Sequence, residues 1–101
     1  MTDWPFADPP NLATFTVRQF IDGQKPILFV SHDAADGCWQ FLTGDAISMD
    51  DAMLVALKEI VKRDPTVVAL ADLPLGWEAW RESPESQWVR QNTLPESGGV
   101  A

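Results

Sequence analysis

Apolar and polar positions group the middle of the chain into two short strand-like runs. Ile27-Leu28-Phe29-Val30 is the first, and Cys38-Trp39-Gln40-Phe41-Leu42 is the second. Both are rich in strand formers and bounded by turn residues. The residues between them, 33–37, end in Asp36-Gly37, a strong hairpin signal. Gly37 accepts a positive φ without the Cβ clash of an L-residue, and the Asp36 carboxylate can hold nearby backbone N–H groups. The pattern therefore predicts an antiparallel hairpin, with one strand over 27–32 and the other over 38–42. Trp39 and Phe41 share one face of it, and Cys38, Gln40 and Leu42 share the other. Both faces carry apolar residues, which places the pair inside a sheet rather than at its edge.

A different period governs residues 49–63. Met53, Leu57, Ile60 and Val61 fall on one helical stripe, joined by Leu54 and Ala56, while Lys58, Glu59, Lys62 and Arg63 face out. Ser48 is placed to cap this segment. Asp50 and Asp51 lie at its positive end and Lys62 and Arg63 at its negative end. The spacing predicts one principal helix over 49–63. Glu59 and Arg63 are four apart in the favourable order.

The flanks are less regular. Thr16-Val17-Arg18-Gln19 fits a capping box followed by Gly23, which predicts a short helix over 17–22. Phe15, Val17 and Gln19 also alternate as a strand would. Asp64-Pro65 ends the long helix and can start another short turn, although Val67-Val68 permits a strand. Residues 77–81, Trp-Glu-Ala-Trp-Arg, read as a third strand, with Trp88 and Val89 in a last extended piece. Residues 1–12, with three prolines, and 93–101 are expected to be poorly ordered, with Trp4 and Phe6 available to pin the first segment. These elements amount to one α+β domain: a small, mainly antiparallel sheet of three or more strands with one principal helix packed on it.

Composition narrows the function classes. The chain has 101 residues, 46% of them hydrophobic and 22% charged, as a single soluble globule requires. A net charge of −8 repels phosphate backbones, so nucleic acid is excluded as a partner and a basic protein is favoured. There is one Cys, so no internal disulfide. Without a signal-peptide pattern or a run of membrane-spanning length, a cytoplasmic location is expected. No cofactor motif is present, and the sequence sets no oligomeric state.

Two groups of residues could carry chemistry or recognition. His32, Asp33 and Asp36 surround the hairpin turn. A His with carboxylates can hold a divalent metal or act as an oriented base, which makes a small metal-dependent or hydrolytic enzyme the alternative reading. The spacing resists it, because adjacent strand residues leave on opposite faces and the acids do not follow the calcium-loop pattern. The bland account is a hairpin with solvated loop acids. The second group is Trp77, Trp80 and Arg81. Five Trp and no Tyr is more indole than so small a body readily buries. Trp and Arg are common interface anchors. The competing account is that the tryptophans build the core and Arg81 stacks over one of them.

The run from Asp36 through Trp39 to Gly44-Asp45, the Asp64-Pro65 pair, and Leu73-Pro74-Leu75-Gly76 with Arg81 resemble a bacterial family of small domains of unknown function. That family is similar to immunity-protein-like domains, found near polymorphic toxins as well as alone. The likeness spans roughly residues 17–90. It departs from the family pattern in a shorter acidic loop before the Trp, which here carries His32-Asp33, and in the regular segment 49–63. The resemblance implies a compact α+β domain and no catalytic residues; the acidity, the surplus Trp and the lack of a catalytic signature make a non-catalytic protein-binding domain the first reading.

Overall fold

The computed structural model describes residues 4–92. Its frame is a six-stranded sheet: β1 (Ala13–Val17), β2 (Phe29–His32), β3 (Trp39–Leu42), β4 (Ala52–Ala56), β5 (Trp77–Trp80) and β6 (Val89–Asn92), in the order β4-β1-β3-β2-β5-β6. The fold is α+β, but the sheet is mixed. β1 runs parallel to β3, and the other neighbours are antiparallel.

The hairpin expected from the two apolar runs is present and lies at the centre of the sheet, with Phe29 opposite Leu42 and His32 opposite Trp39. Its inward residues Val30, Trp39 and Phe41 are buried, and the Trp39 and Phe41 rings stack 5.8 Å apart. Phe6 meets Trp39 edge-on at 5.3 Å, and the Trp39 indole N–H donates to the Asp8 carboxylate at 2.8 Å. The segment before β1 is thereby tied to the core. Residues 93–101, expected to fray, lie outside the described part of the chain.

One principal helix over 49–63 does not form. A 3₁₀ turn (Met49–Asp51) leads into strand β4, and only Leu57–Arg63 is helical, as α2. The reason is pairing. Five residues of β4 sit opposite five of β1, and that ladder outweighs the helix propensity of Ala-Met-Leu-Val-Ala. Within β4 only Leu54 is exposed, and its four neighbours are half-buried. The 3.6 period begins at Leu57, which is buried with Ile60. Ser48 does cap its turn, accepting from the Asp50 N–H at 3.3 Å, and Glu59 pairs with Arg63 at 3.4 Å.

The expected helix over 17–22 is also shorter, covering Arg18–Ile21 as α1. Thr16 is not its cap but a buried strand residue, and its hydroxyl donates to the Phe41 carbonyl at 2.7 Å. Thr14 donates likewise to the Val55 carbonyl at 2.9 Å. Two buried hydroxyls on β1 thus spend their donors on neighbouring strands, which removes the cost of burying them.

After α2, Asp64 accepts from the Thr66 N–H at 3.0 Å and Pro65 opens a 3₁₀ segment, Pro65–Leu70. The aspartate cap with proline at the first position behaves as the sequence reading required. Together α2 and this segment place Leu57, Ile60, Val67 and Leu70 over the inner face of the sheet, where they bury against Val30, Phe41 and Ala79. Among the described residues, the helices bury their side chains in this one core and none is placed on the opposite face.

Candidate functional site

The hairpin turn consumes both of its acids. Asp33 exchanges backbone bonds with Cys38 and Gly37 at 2.9 Å, and Gly37 sits at φ 74°. The Asp33 carboxylate accepts from the Ala35 N–H at 2.7 Å, and that of Asp36 from the Cys38 N–H at 2.9 Å. These are turn-building bonds. Burial pushes the Cys38 thiol up, and the charges of Asp36 and Asp33 push it further. A thiol held protonated in this way is a poor nucleophile.

His32 turns inward at the end of β2. Its ring stacks on Trp39 at 3.9 Å with 14° between the planes, and Nδ1 lies 2.7 Å from the Leu73 carbonyl. A carbonyl only accepts, so Nδ1 is the donor in this bond. An open groove of about 510 Å³ runs beside it, lined by His32, Asp33, Ser31, Gly76, Trp77 and Glu78. The structure thus brings His32, Asp33 and Trp77 to one groove and leaves Asp36 out of its lining. Among the described residues no group of three or more His, Cys, Asp or Glu is arranged to hold a metal ion.

Arg81 is not a surface residue. It is 4% exposed. Nε and Nη2 both donate to the Ile27 carbonyl, at 3.0 and 2.9 Å. Nη2 also reaches the Asp64 carboxylate at 2.9 Å, and Nη1 reaches the Thr66 hydroxyl at 2.9 Å and the Pro84 carbonyl at 3.1 Å. The guanidinium lies 4.1 Å from the centre of the Trp88 ring. Every donor direction of the fork is filled from inside the protein. Arg81 joins the strand end to the 3₁₀ segment, and Trp88 seals it.

Trp80 is the residue of this group that meets solvent, at 40% exposure. Alternation along β5 puts it on the helix-free face, with Glu78, while Trp77 and Ala79 point the other way. The registers place Leu42, Phe29, Trp80 and Val89 side by side across β3, β2, β5 and β6. Leu42 is buried and Phe29 half-buried, and Val89 is 45% exposed. The row is apolar at every position and opens toward solvent at the β5–β6 end. The neighbouring row, Gln40, Ser31, Glu78 and Gln91, is polar.

Comparison with protein-family models, curated proteins and solved structures finds no match.

The site therefore stands on geometry. Phe29 and Val89 belong to the exposed row and were not singled out in the sequence. The signal that could have found them is register. Once Trp80 is placed opposite Phe29, the residue opposite Trp80 on the next strand joins the same face. No helix among the described residues is long and apolar enough to cross a membrane.

Proposed function

We propose that the protein is a non-catalytic protein-binding domain, of the immunity-protein-like kind, that docks a basic protein on the helix-free face of its sheet. The observation that carries this reading is Trp80, 40% exposed beside the 45% exposed Val89 on a sheet face that no helix covers among the described residues. A large indole with an apolar neighbour and a polar rim is the make-up of an interface centre. Glu78 stands on the same face in the adjacent row, and the net charge of −8 supplies attraction for a basic partner. The engagement of Asp33, Asp36 and Arg81 in turns and internal bonds also favours binding over catalysis.

The test is capture of the partner from the native host with wild-type protein and with Trp80→Ser, followed by titration of the purified pair against salt. We expect Trp80→Ser to weaken binding by at least about 2 kcal/mol, as anchor residues do. Affinity should fall as salt rises. Binding indifferent to both changes would overturn the proposal.

The enzyme reading, with His32 acting beside Asp33, draws its support from the groove those two residues line. Metal analysis and a hydrolase screen of wild-type protein against His32→Gln test it. An activity or bound metal lost in the variant would favour it over docking.

A further inference from the structure

The two edges of the sheet differ. β6 ends it with Val-Arg-Gln-Asn, a charged and polar strand of the kind that resists edge pairing. β4 ends it with Ala-Met-Leu-Val-Ala, which carries no charge, no proline and no glycine. Its outer side has no strand among the described residues.

The direction of the β4 backbone groups can be read from its bonds to β1. The Leu57 N–H donates to the Leu12 carbonyl at 2.8 Å, continuing the β1–β4 register, and the Val55 carbonyl accepts from Thr14. Alternation then turns residues 53, 55 and 57 toward β1 and residues 52, 54 and 56 outward. The Ala52 N–H is spent on the Met49 carbonyl and the Ala56 carbonyl caps α2, which leaves the Ala52 carbonyl, both backbone groups of Leu54 and the Ala56 N–H open. These four groups, centred on Leu54, are enough for a short two-fold antiparallel pairing. Leu54 would exchange both bonds with Leu54 of a second copy, and the Ala56 N–H of each copy would reach the Ala52 carbonyl of the other.

The charges flanking β4 agree with that register. Asp50 precedes the strand and Lys58 follows it, each four residues from Leu54. A two-fold axis at Leu54 therefore brings Asp50 of each copy to the same end as Lys58 of the other. Both residues are exposed, and neither side chain has an ion-pair partner among the described residues. Asp51 and Glu59, which are nearby, are already held by Arg18 and Arg63. The side chain of Leu54, 71% exposed, would meet its own copy at the axis.

We propose that β4 is a self-association edge: two copies of the chain pair antiparallel through Ala52–Ala56 about an axis at Leu54, which joins two six-stranded sheets into one. The β4 edge lies at the opposite end of the sheet from Trp80, although the Leu54 side chain shares the helix-free face, and the tests of the two proposals use different residues.

Sedimentation equilibrium on the full chain over a wide concentration range tests it. The expected species has twice the chain mass of 11.2 kDa. Leu54→Lys puts two like charges opposite each other and should raise the dimer dissociation constant at least about tenfold. Val89→Lys, on the other edge, should leave that constant unchanged. Asp50→Lys and Lys58→Asp should each weaken the dimer, and the double exchange should restore it. Circular dichroism checks that the variants stay folded, and Leu54 is exposed enough for its replacement to be borne. A monomer at every concentration would overturn the proposal. So would a dimer that survives Leu54→Lys, or one broken instead by Val89→Lys.

Discussion

The Arg81 guanidinium lies 2.9 Å from the Asp64 carboxylate, and both groups hydrogen-bond the hydroxyl of Thr66. The Arg81 side chain is 1% exposed and that of Asp64 14%. A charge this far from water tolerates burial only while its partner stays in place. Asp64→Ala should therefore destabilise the fold by about 3–5 kcal/mol, since it strands a buried cation. Arg81→Lys should also be costly, because a point charge cannot make the forked contact to the Ile27 carbonyl. Urea unfolding measures both. A loss below about 1 kcal/mol, the level of an exposed pair, would show that the site is solvated.

The hairpin turn gives a smaller, sharper expectation. Gly37 holds φ 74°, where an L-residue is strained by about 1–2 kcal/mol. Gly37→Ala should lower stability by that amount. Asp36→Ala should lower it by about 1 kcal/mol through loss of the bond from the Cys38 N–H. Thermal melts of the two variants should fall in that order, and equal melting temperatures for wild type and Gly37→Ala would contradict the turn geometry.

Cys38 should react slowly. Its thiol is held above the ordinary range by burial first, then by Asp36 and Asp33. The neutral thiol is therefore favoured in the fold. Its stabilising effect is complete below the unfolded value of about 8.5 and is lost as pH rises past it. Iodoacetamide labelling at pH 8 should be slower in the native protein than in urea, and native stability should decline above that pH. Equal labelling rates would remove this account.

Two exposed carboxyls should titrate low. A hydrogen bond from Arg90, then its charge, holds Asp72 below the usual carboxylate range. For Asp45 the hydrogen bond from Lys25 leads, followed by that from Thr43 and the charge of Lys25. A depressed native value contributes stability above the unfolded value of about 3.9 and loses it as pH falls through the native one. Carboxyl resonances followed by NMR should show midpoints below 3.9 for both. Lys25→Met should return that of Asp45 toward the ordinary value.

What the sequence disclosed depended on how local the controlling interactions were. The β2–β3 hairpin, the Asp64-Pro65 cap and the strand beginning at Trp77 each announce themselves within a few residues. Residues 52–56 do not, because Met53, Leu54, Val55 and Ala56 also satisfy a helical stripe. Only the presence of β1 beside them decides the matter, and β1 is far away in sequence. The same blindness hid the parallel β1–β3 pairing. At the candidate sites, the closeness of His32, Asp33 and Asp36 in sequence suggested joint chemistry, yet the turn separates their roles. Arg81 looked like an anchor and became an internal brace. Trp80 kept its exposure, since β6 widens the sheet beside it without covering its face.

The position of β1 between β3 and β4 bears on how the chain acquires its shape. Thr16 bonds a carbonyl 25 residues onward, and Thr14 bonds one 41 residues onward. Neither neighbour exists when β1 leaves the ribosome. The β2–β3 hairpin closes over a short loop, but β1 must wait for β3 and β4, and β2 must wait longer still for β5, from which it is separated by the whole of β4, α2 and the 3₁₀ segment. Until β4 and β5 arrive, the growing molecule exposes the outer edges of β1 and β2, and that interval is when it is most vulnerable to wrong pairings.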